Sequence, residues 1–303
     1  MIDVLFMGTP EYAKQILAGL LDDTNIRVVG VFTQPDKPVG RKKLLTPPPV
    51  KTLALQHNLE LFQPQKLRDE ESVAAVLAIK CDYIVVAAYG QILPLAILEH
   101  APCINLHASI LPAFRGASPI QQTLLQGDAL TGVTAMLMEE GLDTGDILAI
   151  ETLVVEKDTM VEKLFEDLTE LARDLTLEVL HNFSSFTPQK QQEKEASYCK
   201  KITKADGEVH FENARELYNK YRAFTPWPGV YLSSGLKLKK IMLHDEKSYE
   251  NAGEILSIEK DSIIVSCKKG ALRIYCVQPV SKNEMDVLSY INGKRLSLAD
   301  TLV

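Results

Sequence analysis

Long apolar runs are absent from this chain. No stretch approaches the roughly 18 uninterrupted apolar residues that a membrane-spanning helix requires, so no span is expected. The start does not read as a secretory leader either: Ile2-Asp3-Val4-Leu5-Phe6-Met7 is strand-like, has no basic region, and carries acidic Asp3 with Glu11 close behind. Cysteine is scarce and odd in number. Cys81, Cys103, Cys199, Cys267 and Cys276 show no C-x-x-C spacing, and the first two sit beside apolar runs. They read as small buried residues of a reducing compartment, which makes the cytoplasm the expected location. No His/Cys/carboxylate group has the spacing of a metal site, so no metal is expected.

Glycine is missing where a dinucleotide fold would need it. The first strand-to-helix turn is Phe6-Met7-Gly8-Thr9-Pro10-Glu11, with one glycine where that fingerprint has three. Glu11 would also set a negative charge where a pyrophosphate should bind. Thr9 as helix cap with Pro10 at the first helical position accounts for the segment without a ligand. No P-loop pattern occurs.

What is present fits a two-domain globular protein. Its 303 residues are 46% hydrophobic and 24% charged. The formal charge is −7, unevenly spread: residues 1–189 hold 14 Lys and Arg against 25 Asp and Glu, whereas residues 190–303 hold 19 against 15. An acidic front joined to a mildly basic back suits a catalytic domain with an RNA-facing appendage. Composition leans towards a monomer.

The first half alternates strand-like runs (Val4–Met7, Val28–Phe32, Tyr83–Ala87, Cys103–Leu106) with helical patterns near 11–21, 49–57 and 71–79. This predicts an α/β, Rossmann-like open sheet, mostly parallel, over residues 1–187. A polar, unperiodic stretch, 188–205, reads as a linker. Residues 206–303 begin with a helix capped by Asn213. Five short strand patterns follow (Val230–Leu232, Leu236–Leu243, Glu254–Ile258, Ser262–Cys267, Leu272–Gln278), which predict a small OB-like β-barrel. The single tryptophan, Trp227, reads as a ring wedged between prolines against that barrel.

Chemistry concentrates in Cys103-Ile104-Asn105-Leu106-His107-Ala108-Ser109-Ile110-Leu111-Pro112, followed by Arg115-Gly116. Asn105 and His107, two apart on a strand, face the same way at its carboxyl end, where open α/β sheets place clefts. Downstream, Gly141-Leu142-Asp143-Thr144-Gly145 holds a carboxylate in a glycine-flanked turn. Asn, His and Asp without a Ser or Cys nucleophile suit direct acyl transfer to an amine that the substrate brings. Asn105 and His107 would donate to the developing oxyanion, and Asp143 would accept the amine proton, directly or through water.

These residues resemble the folate-dependent formyltransferase family, whose signature runs Asn-x-His-x-Ser-Leu-Leu-Pro, then Arg-Gly, then a downstream Asp. Ile110 replaces the first Leu. The resemblance implies catalytic roles for Asn105, His107 and Asp143, and 10-formyltetrahydrofolate as formyl donor. It implies a folate site lined by Ser109, Ile110, Leu111 and Pro112, by the facing Tyr89, Gly90, Gln91 and Ile92, and by the backbone from Met138 to Leu142. A cis bond is expected before Pro112. The Pro-rich, basic segment 34–51, with Arg41, Lys42 and Lys43 in tandem, suits phosphate contacts. It resembles the substrate loop of the family members that formylate methionyl-tRNA, as do Phe6–Ala13 and Ala223–Gly229. Lys42 stands where that loop usually has Gly. The implied partner is an initiator methionyl-tRNA, bound in part by the carboxy-terminal domain. An alternative acceptor is the amine of a sugar nucleotide, which would not need the basic loop. A non-catalytic RNA-binding module, with the trio idle, is the alternative from another class.

Overall fold

The computed structural model describes residues 1–40 and 42–302. They divide into two compact units. The first comprises residues 1–119, 130–154 and 164–199, and the second comprises 120–129, 155–163 and 200–303.

The first unit is built on a seven-stranded sheet. Its strands are β1 (Ile2–Gly8), β2 (Ile26–Phe32), β3 (Leu61–Phe62), β4 (Tyr83–Ala87), β5 (Cys103–His107), β6 (Leu130–Leu137) and β7 (Ile147–Val154). The spatial order is β7-β6-β5-β4-β1-β2-β3. β1 to β5 pair in parallel, whereas β6 runs antiparallel to β5, and β7 to β6. The chain adds β2 and β3 on one side of β1, then returns to add β4 and β5 on the other. That reversal is a switch point of the kind at which open α/β sheets place ligand crevices, at the carboxyl ends of the strands. The parallel strands are almost continuously buried, because helices cover both faces.

Helix α1 (Glu11–Asp22) lays Tyr12, Ala13, Ile16, Leu17 and Leu20 on the sheet at helical spacing. Gly8 lets it do so: a Cβ there would stand 2.6 Å from the Ala13 Cβ. This glycine serves packing rather than phosphate binding. The expected Thr9 cap is not formed. The helix starts at Glu11 after an extended Pro10, and the Thr9 hydroxyl instead donates to the Tyr89 carbonyl at 3.0 Å. The opposite face packs Leu5, Met7, Phe32, Ile84 and Val86 together, with Phe32 and Phe62 stacked at 4.5 Å. A long helix, Val161–His181, turns Leu164, Leu168, Ala172 and Leu175 inward. Leu171, on the same helix, is half-buried.

β6 and β7 escape the strand patterns read from the sequence. Gly132 interrupts β6, and the reason is the neighbouring backbone: a Cβ there would lie 2.1 Å from the Glu151 carbonyl oxygen. The stretch 188–205, expected as a linker, is largely bound into the first unit, which extends to Cys199. Gln189 exchanges two backbone hydrogen bonds with Ile147, both at 2.8 Å, and Tyr198 and Cys199 pair in parallel with Arg115 and Gly116. Polar composition conceals this, because these residues pair through backbone and side-chain hydrogen bonds instead of apolar periodicity.

In the second unit Asn213 caps helix Ala214–Phe224 as expected, its side chain accepting from the Arg215 and Glu216 amides. Buried Arg222 donates to Asn219 Oδ1 at 2.6 Å and to the Thr159 carbonyl, and the Tyr218 hydroxyl donates to Asp158 at 2.9 Å. These bonds tie residues 155–163 to the helix. The sheet is an antiparallel ladder in the order Val230–Tyr231, Lys237–Ser248, Lys269–Gln278, Ile263–Ser266, Ile255–Ile258. Trp227 is not wedged inward: it is 61% exposed. Pro226 and Pro228, together with Gly229, Val230 and residues 237–239, line the small cavity beside the ladder, about 30 Å³, so the prolines and not the indole face inward. Among the described residues no helix is long and apolar enough to cross a membrane.

Candidate active site

His107 is the last residue of β5, and Asn105 precedes it on the same face. Both are almost fully buried, at 6% and 9% exposure. His107 Nε2 lies 2.9 Å from the Phe114 carbonyl oxygen. A carbonyl only accepts, so Nε2 carries a hydrogen, and Nδ1 is the nitrogen turned towards Asp143, 3.7 Å from Oδ2. That exceeds hydrogen-bond length, so the two groups face each other without a direct bond. Among the described residues the Asn105 side chain has no hydrogen-bond partner, which leaves its amide free for a ligand.

Asp143 is held in place by its surroundings. Its φ of 53° is left-handed, a conformation that costs a non-glycine residue about 1–2 kcal/mol. Oδ2 accepts from the Gly116 amide at 2.8 Å. The flanking glycines have no substitute: a Cβ on Gly145 would sit 1.7 Å from the Leu137 carbonyl oxygen, and one on Gly141 1.9 Å from Thr144 Oγ1.

The loop after β5 is equally constrained. Leu111–Pro112 is cis, as expected. Ser109 is fully buried, its hydroxyl donating to the Ala113 carbonyl at 2.6 Å. Thr134 on β6 binds both the Ser109 carbonyl and the Leu111 amide. The segment 114–117 rests on residues 197–199: Phe114 N donates to Ser197 Oγ at 2.9 Å, and Arg115 N to the Ser197 carbonyl at 2.9 Å. The Cys199 thiol, pushed up by burial, donates at 3.3 Å to the same Phe114 carbonyl that takes His107. Gly116, at φ 117°, approaches so closely that a Cβ would be 2.3 Å from the Cys199 carbonyl oxygen. Arg115 is 1% exposed. Burial opposes its charge, but Glu193 at 2.9 Å and the Tyr198 hydroxyl at 2.9 Å outweigh that and hold the guanidinium above its ordinary value.

The other residues expected around a folate are differently disposed. Ile92 and Leu142 are 84% and 63% exposed, Ile110, Pro112 and Met138 are half-buried, and Gly90 is open. Leu111 and Tyr89 are buried, and the Tyr89 hydroxyl has no partner among the described residues. The Gln91 side chain is committed to the Leu67 amide and the Pro64 carbonyl, so with Ser109 it offers a ligand backbone rather than side chain. A larger open cavity of about 340 Å³, lined by Phe32, Phe62 and Gln63 among others, includes none of the trio and is not this site.

The basic loop is a short hairpin, Lys37–Val39 with Leu44–Thr46. Its base is clamped: Asp36 accepts from Gln63 at 2.9 Å and from Lys51 at 2.8 Å, which holds its carboxyl below the ordinary range. Lys42 and Lys43 are exposed at its tip, and Arg41 lies outside the described residues. The residues that the sequence reading missed are Gln191, Glu193, Ser197, Tyr198 and Cys199. No periodicity or motif marks them.

A buried Asn and His at a strand end beside a carboxylate, followed by a β-rich second unit, make up a chain in two parts, and both parts match one known class. Residues 2–180 match the formyl transferase family and residues 201–295 the formyl transferase carboxy-terminal domain, so the chain belongs to the formyl transferase family. It is 65% identical over 299 residues to a methionyl-tRNA formyltransferase of Sulfurimonas denitrificans, covering 99% of each chain. To the enzyme of the same name from Wolinella succinogenes it is 53% identical over 304 residues, covering 100% of both. Solved structures share the fold at lower identity. An N-formyltransferase from Helicobacter canadensis, in complex with folinic acid and dTDP-3-aminofucose, matches with TM-score 0.68 at 16% identity over 91% of this chain and 99% of that one. The sugar 3N-formyltransferase WlaRD, in the presence of dTDP and 5-N-formyl-THF, matches with TM-score 0.67 at 18% identity over 93% and 99%.

Proposed function

We propose that this chain transfers the formyl group of 10-formyltetrahydrofolate to the amino group of methionine on initiator methionyl-tRNA, acting as a cytoplasmic monomer. The observation that carries this reading is the approach of Asp143 to His107 beside the free amide of Asn105. The amine nitrogen attacks the formyl carbon, and the carbonyl oxygen becomes an oxyanion. Asn105 donates to that oxyanion, and His107 faces it through Nδ1, since Nε2 is engaged by Phe114. Asp143 takes a proton from the amine, directly or through water. The oxyanion then collapses to the formyl carbonyl, the bond from carbon to N10 of the folate breaks, and the proton held by Asp143 passes to N10, directly or through water, which restores the carboxylate. Ser109 to Pro112, Tyr89 to Ile92, Met138 and Leu142 form the walls for the folate, with apolar contact from Ile92 and Leu142. Arg41, Lys42 and Lys43 contact phosphates of the tRNA acceptor stem, and residues 206–303 supply further RNA contact. The full-length match to chains named methionyl-tRNA formyltransferase supports the choice of acceptor.

The test is formyl transfer assayed with methionyl-tRNA and, separately, with a sugar-nucleotide amine. Transfer to the tRNA alone is expected, and Asn105→Ala should lower kcat by about 10²–10³-fold, the usual loss for one oxyanion donor. Transfer to the sugar amine without transfer to tRNA would overturn the acceptor. Full activity in both Asn105→Ala and His107→Ala would overturn the site.

A further inference from the structure

We propose that Gln191 is a positioning residue that holds Asp143 in its reactive orientation. Its side-chain amide nitrogen donates to two backbone carbonyls of the carboxylate turn, Asp143 at 2.9 Å and Gly145 at 2.8 Å. Its side-chain oxygen accepts from Arg115 Nε at 3.0 Å. The amide orientation follows without ambiguity, because the carbonyls can only accept and the guanidinium can only donate.

These bonds close a ring of contacts. Arg115 lies between Phe114, whose carbonyl takes His107 Nε2, and Gly116, whose amide takes the Asp143 carboxylate. Gln191 joins the Arg115 side chain to the backbone of the Asp143 turn, so the segment orienting the imidazole and the turn carrying the carboxylate are tied from a third direction. The turn needs such support, because Asp143 occupies a left-handed conformation that favours glycine. Its nearest relatives in shape do not meet the requirement. Glutamate would set a carboxylate oxygen against two carbonyl oxygens, and asparagine is one methylene too short to reach both sides.

The inference rests on the reading of Asp143 as the proton acceptor. It is tested on the full-length enzyme with 10-formyltetrahydrofolate and methionyl-tRNA, measuring kcat, both KM values and the unfolding midpoint. Gln191→Met, which keeps the volume and removes the donors, should lower kcat about 10–100-fold, as small displacements of a reacting group do. Both KM values should stay within about twofold, and any fall in the midpoint should leave the enzyme fully folded at the assay temperature. Gln191→Glu, which keeps the bond to Arg115 and loses only the donors, should fall at least as far. In an Asp143→Asn background, Gln191→Met should cost nothing more.

A loss expressed in KM, a wild-type kcat in Gln191→Glu, or a drop in the unfolding midpoint with kcat unchanged would overturn the inference and assign Gln191 to stability alone. If Asp143→Asn is impaired while Gln191→Met stays within about threefold of wild type, the positioning role fails and the reading of Asp143 stands. If Asp143→Asn keeps full kcat, that reading fails and takes the positioning role with it.

Discussion

Single residues in this site are held by backbone as much as by one another. His107, Asp143 and Asn105 were visible in the sequence because their types and order carry chemistry, and the structure brings the first two within 3.7 Å. Their orientation depends on groups with no side-chain identity to read: the Phe114 carbonyl and the Gly116 amide. Gly145 belongs to the same class, since its missing Cβ is what lets the turn approach β6. Gly145→Ala should therefore destabilise the protein by about 1–3 kcal/mol, because the obstacle is the Leu137 carbonyl and backbone cannot step aside. It should also lower kcat more than either KM. Chemical denaturation and steady-state kinetics on the same preparation check both outcomes, and an Ala variant with wild-type values would contradict the close approach.

At the scale of elements, strands and helices with clean periodicity were legible, and those shaped by neighbours were not. β1, β2, β4 and β5 and the helix capped by Asn213 lie where the patterns place them. Asn213→Ala should cost about 1 kcal/mol, seen as a lower unfolding midpoint, because two amides lose their acceptor. Asn213→Ser should recover most of it. The 37–46 hairpin makes a different prediction. Lys42 and Lys43 stand exposed at its tip, above a base fixed by the Asp36–Lys51 pair. Replacing both with Ala should raise the KM for methionyl-tRNA and reduce the slope of log affinity against log salt by about 2, leaving the KM for the folate donor unchanged. An unchanged salt slope would remove these lysines from the RNA contact.

For the whole molecule, the surface carboxylates set the acid limit. Asp3 is held below the ordinary carboxylate range by a side-chain hydrogen bond from Arg27, Asp206 by Thr203, and Asp286 and Asp300 by the backbone amides of Ser289 and Ser297. A folded-state value below the unfolded one gives stability that is complete above the ordinary Asp value of about 3.9 and is lost as pH falls through the depressed values. The unfolding midpoint should therefore stay flat from neutral pH to about 5 and decline below about 4. Each group is at least partly open to solvent, so the decline should be shared among them and shallow. Asp206→Asn combined with Asp286→Asn should flatten it, and an unaltered acid limb in that variant would show that the loss arises elsewhere.

The sequence by itself determined the two-part architecture, the parallel core of the first unit and the three residue types of the candidate site. Hydrophobic period, the Asn213 cap and the order of the Asn, His and Asp side chains are local properties, and they survive in one dimension. Only the tertiary structure decided that Thr9 serves the Tyr89 carbonyl instead of a helix, that Trp227 faces outward, and that a polar tract resembling a linker straps the loop beneath His107 and Asp143. Those outcomes turn on which backbone groups end up adjacent across long stretches of chain. A hydrogen bond from Gln191 to a turn 46 residues earlier leaves no mark on the period or composition of either segment.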